Sequence, residues 1–158
     1  MKRNIHALAG VLAFLFIATF WTSTVVSELF LDHSAVTSVK IAVTYAFIAF
    51  IPCMAITGAT GFAMGGKSTF PILVAKRRRL PIIGANGLLV LIPAAIFLSI
   101  KAQAGEFDTA FYIVQAVELL AGATNLFLMG LNIRDGRQMR RHYQKSSQLP
   151  ERQSLLIH

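Results

Sequence analysis

LPIIGANGLLVLIPAAIFLSI, residues 80–100, contains no charged residue. A helix needs about 20 mainly apolar residues to cross the hydrocarbon core of a bilayer, and this stretch is long enough to do so. Three other stretches meet the same test, which gives predicted spans at about 7–29, 39–64, 80–100 and 110–131. The sequence therefore predicts an all-α membrane protein, an antiparallel bundle of four transmembrane helices.

The overall composition agrees with a membrane protein rather than a soluble one. Apolar residues make up 55% of the 158 residues and charged residues only 14%, whereas a soluble domain carries roughly 25% charged residues. The net charge of +8 could suggest nucleic-acid binding. However, thirteen of the fifteen basic residues lie at the ends and in one loop of a membrane chain. We therefore expect the lipid bilayer, and not a nucleic acid, as the partner of these charges.

The distribution of basic residues predicts the orientation of the helices. Lys and Arg are concentrated at the N-terminus, in the connection between the second and third spans, and from Arg134 to Arg152; only Lys40 and Lys101 fall on the other side. Because positively charged loops stay in the cytoplasm, we predict that both termini are cytoplasmic. We expect a multi-pass protein of a bacterial inner membrane with an uncleaved first span, a transmembrane domain over 1–145 and a flexible basic tail over 146–158.

Glu118 is the most informative single residue. A carboxylate within a span costs about 2.5–3.5 kcal/mol, so it should face the protein interior and have a partner. Gln115 and Asn125 share its helical face, Asn86 lies at the depth of Asn125, and Tyr45 is the nearest candidate partner in depth. The candidate intramembrane polar site comprises Glu118, Gln115, Asn125, Asn86, Tyr45 and Thr22. Such a carboxyl can form a hydrogen bond that holds two helices together, or it can bind a proton or another ion.

Small residues on the second span predict close helix packing. Gly58, Gly61 and Gly65 are spaced three and four residues apart, which lets two helix backbones approach closely, within the bundle or between protomers. The same region, from Gly61 to Ser68, also fits the letters of a phosphate-binding loop. That loop requires a preceding buried strand, which this chain lacks, so we interpret the match as coincidence.

Cofactor and catalytic motifs are sparse. His6 at the start of the first span and His142 beyond the fourth are predicted on a common side of the membrane, and they are the candidates for the axial ligands of a haem b. Glu28, Asp32 and His33 are predicted to form a solvated loop rather than a metal site, and no other metal ligands or catalytic residues are predicted.

These observations predict a small, non-catalytic membrane protein. The first hypothesis is an accessory or structural subunit of a membrane complex, or a homo-oligomer, that packs through the glycine face. The second is a proton- or cation-coupled transporter of a small solute that uses Glu118. The third is a haem- or quinone-linked electron-transfer subunit.

Overall fold

The structure, a computed structural model, describes the backbone of residues 2–65 and 71–155 and the side chains of residues 4–63 and 71–139. These residues form helices and contain no strand. A five-residue π-helical segment, Gly87–Leu91, joins the third α-helix to the fourth. The α-helices are α1 Lys2–Phe30, α2 His33–Gly65, α3 Pro71–Asn86, α4 Ile92–Gln103 and α5 Thr109–Leu155.

The all-helical prediction with four membrane-spanning segments is confirmed. Four helical stretches are long and apolar enough to cross a membrane: Asn4–Phe30, His33–Ala63, Pro71–Gln103 and Thr109–Met139. The third stretch consists of α3, the π-helical segment and α4. The antiparallel arrangement in a bilayer and the cytoplasmic side of the termini stay predictions.

Contacts between side chains define two ends of the molecule. At the first, which we call the Phe30 end, the Thr37 hydroxyl donates to the carbonyl of Ala102 at 3.1 Å, and the His33 ring stacks on Phe107. At the second, the Pro71 end, the His6 ring lies within hydrogen-bond distance of Thr60. Residues at the start of α2 therefore meet the end of α4, and residues at the start of α1 meet the end of α2.

The core is built from residues of all four spans. Phe16, Phe20, Phe47 and Phe50 pack with ring centroids 5.7–6.2 Å apart, mostly tilted or edge to face, an arrangement that aromatic quadrupoles favour. A smaller cluster at the Phe30 end joins α2, α4 and α5. Its buried members are Val36, Leu98, Ala102 and Phe111. Large apolar side chains also cover the outside of the helices, as expected where the solvent is lipid.

The third span is irregular next to a proline. Pro93 lies two residues after the π-helical segment and has no N–H to donate to a preceding carbonyl. A π-helical turn is a common way to accommodate such a break and is often found at functional sites. The local departure from α-helix therefore ends just before this proline.

Asp108 begins α5 at the Phe30 end. Its Oδ1 accepts a hydrogen bond from the backbone N–H of Phe111, which is the N-cap contact. Its Oδ2 lies 2.6 Å from the Lys101 ammonium, and this hydrogen bond holds the pKa of the Asp108 carboxyl below its ordinary value. The cap therefore stays ionised, and its contribution is lost only as the pH falls through that lowered pKa.

α5 continues well past the predicted end of the fourth span at residue 131. It reaches Leu155, which adds about 36 Å at 1.5 Å per residue. Residues 146–155 of the predicted tail are thus helical, whereas residues 156–158 lie outside the described part of the chain. The flexibility of this tail stays a prediction.

Candidate intramembrane polar site

A buried ion pair joins α2 to α5. Lys40 and Glu118 lie about 10 Å and 14 Å from the starts of their helices at the Phe30 end, at 1.5 Å per residue. The Lys40 ammonium is 2.6 Å from Glu118 Oε2, and the side chains are 1% and 13% exposed. Two charges removed from water need this close geometry to offset their desolvation. Glu118 thus has a partner, as the sequence predicted, but that partner is Lys40 and not Tyr45.

Two further polar side chains surround the ion pair. Gln115, one turn before Glu118, donates from its Nε2 to Glu118 Oε2 at 3.2 Å. Glu28, near the end of α1, lies close enough to Lys40 and Glu118 to interact with both charges. Glu28 Oε1 and Gln115 Oε1 are both buried, and neither receives a hydrogen bond from the described residues. The cluster therefore holds two oxygen acceptors that lack a donor.

The charges of this cluster do not balance. Lys40 contributes one positive charge, and Glu28 and Glu118 contribute two negative charges when both are ionised. A single bound proton or monovalent cation would make the cluster neutral. In a low-dielectric environment, uncompensated charge is costly, so the cluster has the composition of a site that takes up one positive charge.

Two predicted members of the site do not reach it. Tyr45 is 71% exposed on the outer surface of α2, and Thr22 is exposed on α1. The buried hydroxyls of α1 belong instead to Thr24 and Ser27, of which Ser27 donates to the carbonyl of Thr24. The shared helical face was therefore a sound guide for Gln115, whereas depth along the helix was an inadequate guide for Tyr45.

Asn86 and Asn125 form the amide pair expected from their equal depth. Asn86 Nδ2 donates to Asn125 Oδ1 and to the carbonyl of Ala121, both at 2.9 Å. Asn125 is fully buried, and its own Nδ2 donates to the carbonyl of Ile83 at 3.3 Å. These contacts connect α3 to α5 about 10 Å along α5 from Glu118, so the pair is a helix contact separate from the charged cluster.

A small cavity adjoins the ion pair on the side of the aromatic core. Its volume is about 50 Å³, and its polar boundary includes Glu118 and Thr24. The Trp21 ring closes another side, where its Nε1 donates to the carbonyl of Leu119 at 3.0 Å and its Cδ1 lies 2.9 Å from where a Cβ on Gly122 would be. This volume accommodates a few water molecules and is too small for a drug-sized ligand.

The three glycines of α2 have different surroundings. A Cβ on Gly61 would lie 3.2 Å from both the His6 ring and Leu80 Cδ2, whereas a Cβ on Gly58 would have no neighbour within 4 Å. Gly65 is the last residue of α2, beyond the described side chains. Gly61 therefore serves packing within the chain, and Gly58 is next to open space.

We expect Gly61→Leu to destabilise the isolated protein by about 1–3 kcal/mol, because the larger side chain overpacks the contact with His6 and Leu80. Gly58→Leu is the matched control and should have little effect on stability. Thermal unfolding of both variants in mild detergent measures the difference. Equal stability of the two variants would contradict this account of Gly61.

Of the two histidines predicted as haem ligands, the structure describes the side chain of His6 and not that of His142. His6 Nδ1 lies 3.2 Å from the carbonyl oxygen of Thr57 and 3.0 Å from the hydroxyl of Thr60, so its ring is held between α1 and α2 at the Pro71 end. The side chain of His142 lies outside the described residues, and the pairing stays a prediction. Within residues 4–63 and 71–139, no group of three His, Cys, Asp or Glu side chains is placed to hold a metal ion.

A second ion-pair cluster connects α3 to α5 at the Pro71 end. Asp135, 5% exposed, accepts from the Arg79 guanidinium at 2.7 Å and from Arg134 at 3.2 Å. The Lys76 ammonium lies 3.2 Å from where a Cβ on Gly136 would be and interacts with the Asp135 charge. Three cations thus surround one carboxylate.

Comparison with known proteins finds no matching family model, no similar curated protein and no similar solved structure.

Proposed function

We propose that this membrane protein binds a proton or small monovalent cation at Lys40, Glu28 and Glu118 and couples this binding to the movement of a small solute. The observation that carries the proposal is one buried lysine for two carboxyls: Lys40 pairs with Glu118 and interacts with Glu28, whose buried Oε1 receives no hydrogen bond from the described residues. Ionisable residues within a membrane span are rare and mark ion or proton pathways more often than other positions do.

Each residue has a distinct role in this proposal. Glu118 is the central acceptor, because Lys40 and Gln115 both donate to its Oε2. Glu28 takes the additional positive charge, because its Oε1 is a buried carboxylate oxygen that receives no hydrogen bond from the described residues. Lys40 competes for the same carboxylates, so binding of a proton or cation weakens its hold on them. The adjoining cavity leaves room for water beside Glu118.

The proposal favours the transport hypothesis over the accessory-subunit hypothesis. Of the glycines on which the subunit hypothesis was based, Gly61 faces His6 and Leu80 of the same chain, where an added Cβ would lie 3.2 Å from each, and Gly58 is next to open space. Gly65 lies beyond the described side chains. A structural subunit also does not require excess charge in its interior. Bacterial inner-membrane localisation with both termini in the cytoplasm is part of the proposal and rests on the distribution of Lys and Arg.

Ion flux into liposomes tests the proposal. The purified protein is reconstituted, and uptake is started by an inward proton gradient and followed with a pH-sensitive dye inside. In a parallel series, uptake is started by a Na⁺ or K⁺ gradient and followed with a dye selective for that cation. We expect flux well above that of empty liposomes, and we expect Glu118→Gln to abolish it, because an amide cannot bind and release a positive charge in the same way. Glu28→Gln should reduce it strongly.

Glu106→Gln is the matched control. It removes a carboxylate at the same end of the molecule, but Glu106 is 59% exposed and its ion pair among the described residues is with Lys101, so flux should be unchanged. The proposal is wrong if the wild-type protein carries no flux above empty liposomes. It is also wrong if Glu118→Gln, monodisperse and helical by circular dichroism, retains wild-type flux.

A further inference from the structure

One face of α3 combines a basic patch with a long apolar strip. A groove at the Pro71 end is lined by residues spaced three and four apart, and these are Pro71, Val74, Ala75, Arg78 and Arg79. Such residues share one side of a helix. The groove therefore presents small apolar side chains followed by two guanidinium groups.

The charge around this groove is strongly positive. Among the described residues, the contacts of Arg79, Arg134 and Lys76 include one carboxylate, Asp135, which offsets one of these three positive charges and leaves two. Arg78 adds a third, since it is exposed and pairs with no acidic group among the described residues. An anionic group bound at the groove would reduce the mutual repulsion of these cations.

After Arg78 along the chain, the same helical face is apolar and exposed. Ile82 is 54% exposed and Leu89 is 71% exposed, and Ala85 between them is exposed as well. The distance from Arg78 to Leu89 along the axis is about 16 Å at 1.5 Å per residue, close to the roughly 15 Å thickness of one hydrocarbon leaflet. A basic head and an apolar strip of this length match the phosphate and acyl chain of one phospholipid.

We propose that this face of α3 is a binding site for an anionic phospholipid. The phosphate binds at Arg78 and Arg79, the remaining headgroup packs in the groove beside Val74 and Ala75, and an acyl chain lies along Ile82, Ala85 and Leu89. Arg79 also holds Asp135 of α5, so the bound lipid strengthens the contact between α3 and α5. This site is independent of the charged cluster at the opposite end of the molecule.

Native mass spectrometry of the full chain tests the site. The protein in mild detergent receives equal amounts of phosphatidylglycerol and phosphatidylcholine with identical acyl chains. We expect preferential retention of phosphatidylglycerol and a decrease of about fivefold in that preference for Arg78→Gln, since one basic residue near anionic lipid contributes about that factor. Arg78 is used because a change at Arg79 would also break the contact with Asp135.

Arg137→Gln is the matched control: it removes an exposed positive charge from α5 that does not line the groove, and it should keep the preference. Equal retention of the two lipids by the wild-type protein would overturn the proposal, and so would an unchanged preference in Arg78→Gln. A third arm adds inorganic phosphate at millimolar concentration. Displacement of phosphatidylglycerol by phosphate alone would identify a free-anion site and overturn the assignment to lipid.

Discussion

Replacement of Lys40 by methionine is expected to lower the free energy of unfolding by about 3–5 kcal/mol at neutral pH. The ammonium is 2.6 Å from Glu118 Oε2, and both side chains are withdrawn from solvent. Methionine fills a similar volume but leaves the Glu118 carboxylate in the interior without a cation, and loss of one partner of a buried pair has a cost of this size. Equilibrium unfolding in mixed micelles, followed by circular dichroism, measures the change.

The double variant Lys40→Met/Glu118→Gln shows whether the loss is due to the uncompensated charge. We expect it to be more stable than Lys40→Met alone, because both charges are then absent and Gln115 can still contact the new amide. Glu118→Gln alone should cost less than Lys40→Met, since Glu28 remains close to the lysine. A loss below about 1 kcal/mol for Lys40→Met would show that the pair contributes no more than an exposed one.

The sequence predicted the number of spans correctly but not where the helices end. Hydropathy detects only the part of a helix that must be apolar, which is why α2 was predicted from residue 39 although it begins at His33. Likewise, α3 begins at Pro71 and carries the basic run Lys76–Arg79 within a helix, where the sequence suggested a loop. Charged residues can extend a membrane helix into the headgroup region without any apolar signal.

This difference at α2 explains why Lys40 was missed as the partner of Glu118. If the span began at residue 39, Lys40 would lie at the membrane surface. Because the helix begins at His33, Lys40 instead lies two helical turns after the start of α2. Tyr45 was wrongly favoured because depth does not specify direction. At 100° per residue, five residues place Tyr45 about 140° around the helix from Lys40, so a buried Lys40 turns Tyr45 outward.

The helical face of α5 was predicted more successfully. Gln115, Glu118 and Asn125 share one face by their spacing, and all three make the interhelical or neighbouring contacts expected of an inward polar stripe. Glu28 was assigned to a solvated loop together with Asp32 and His33, whereas its Oε1 is buried. A single sequence contains no signal for this burial, because it depends on how the end of α1 packs against α2 and α5.

Asp135→Asn is expected to destabilise the protein by about 2 kcal/mol, through the cluster at the Pro71 end. The substitution preserves the shape and one acceptor but removes the negative charge that offsets Arg79, Arg134 and Lys76. The expected loss is below that of a fully buried pair, because the Arg79 and Arg134 side chains are 20% and 67% exposed. Denaturant unfolding at low and high salt measures it.

Salt distinguishes repulsion among the cations from simple loss of a hydrogen bond. The distance over which salt screens partly exposed charges is about 3 Å in 1 M salt and about 30 Å in 0.01 M salt. The difference in the free energy of unfolding between Asp135→Asn and wild type should therefore shrink as salt is added. Asp108→Asn is the control, since Asn is an equally good N-cap and the cation beside Asp108, Lys101, is also paired with Glu106. A loss at Asp135 that is the same at both salt concentrations would assign it to hydrogen bonding and would contradict a role for Asp135 in charge compensation.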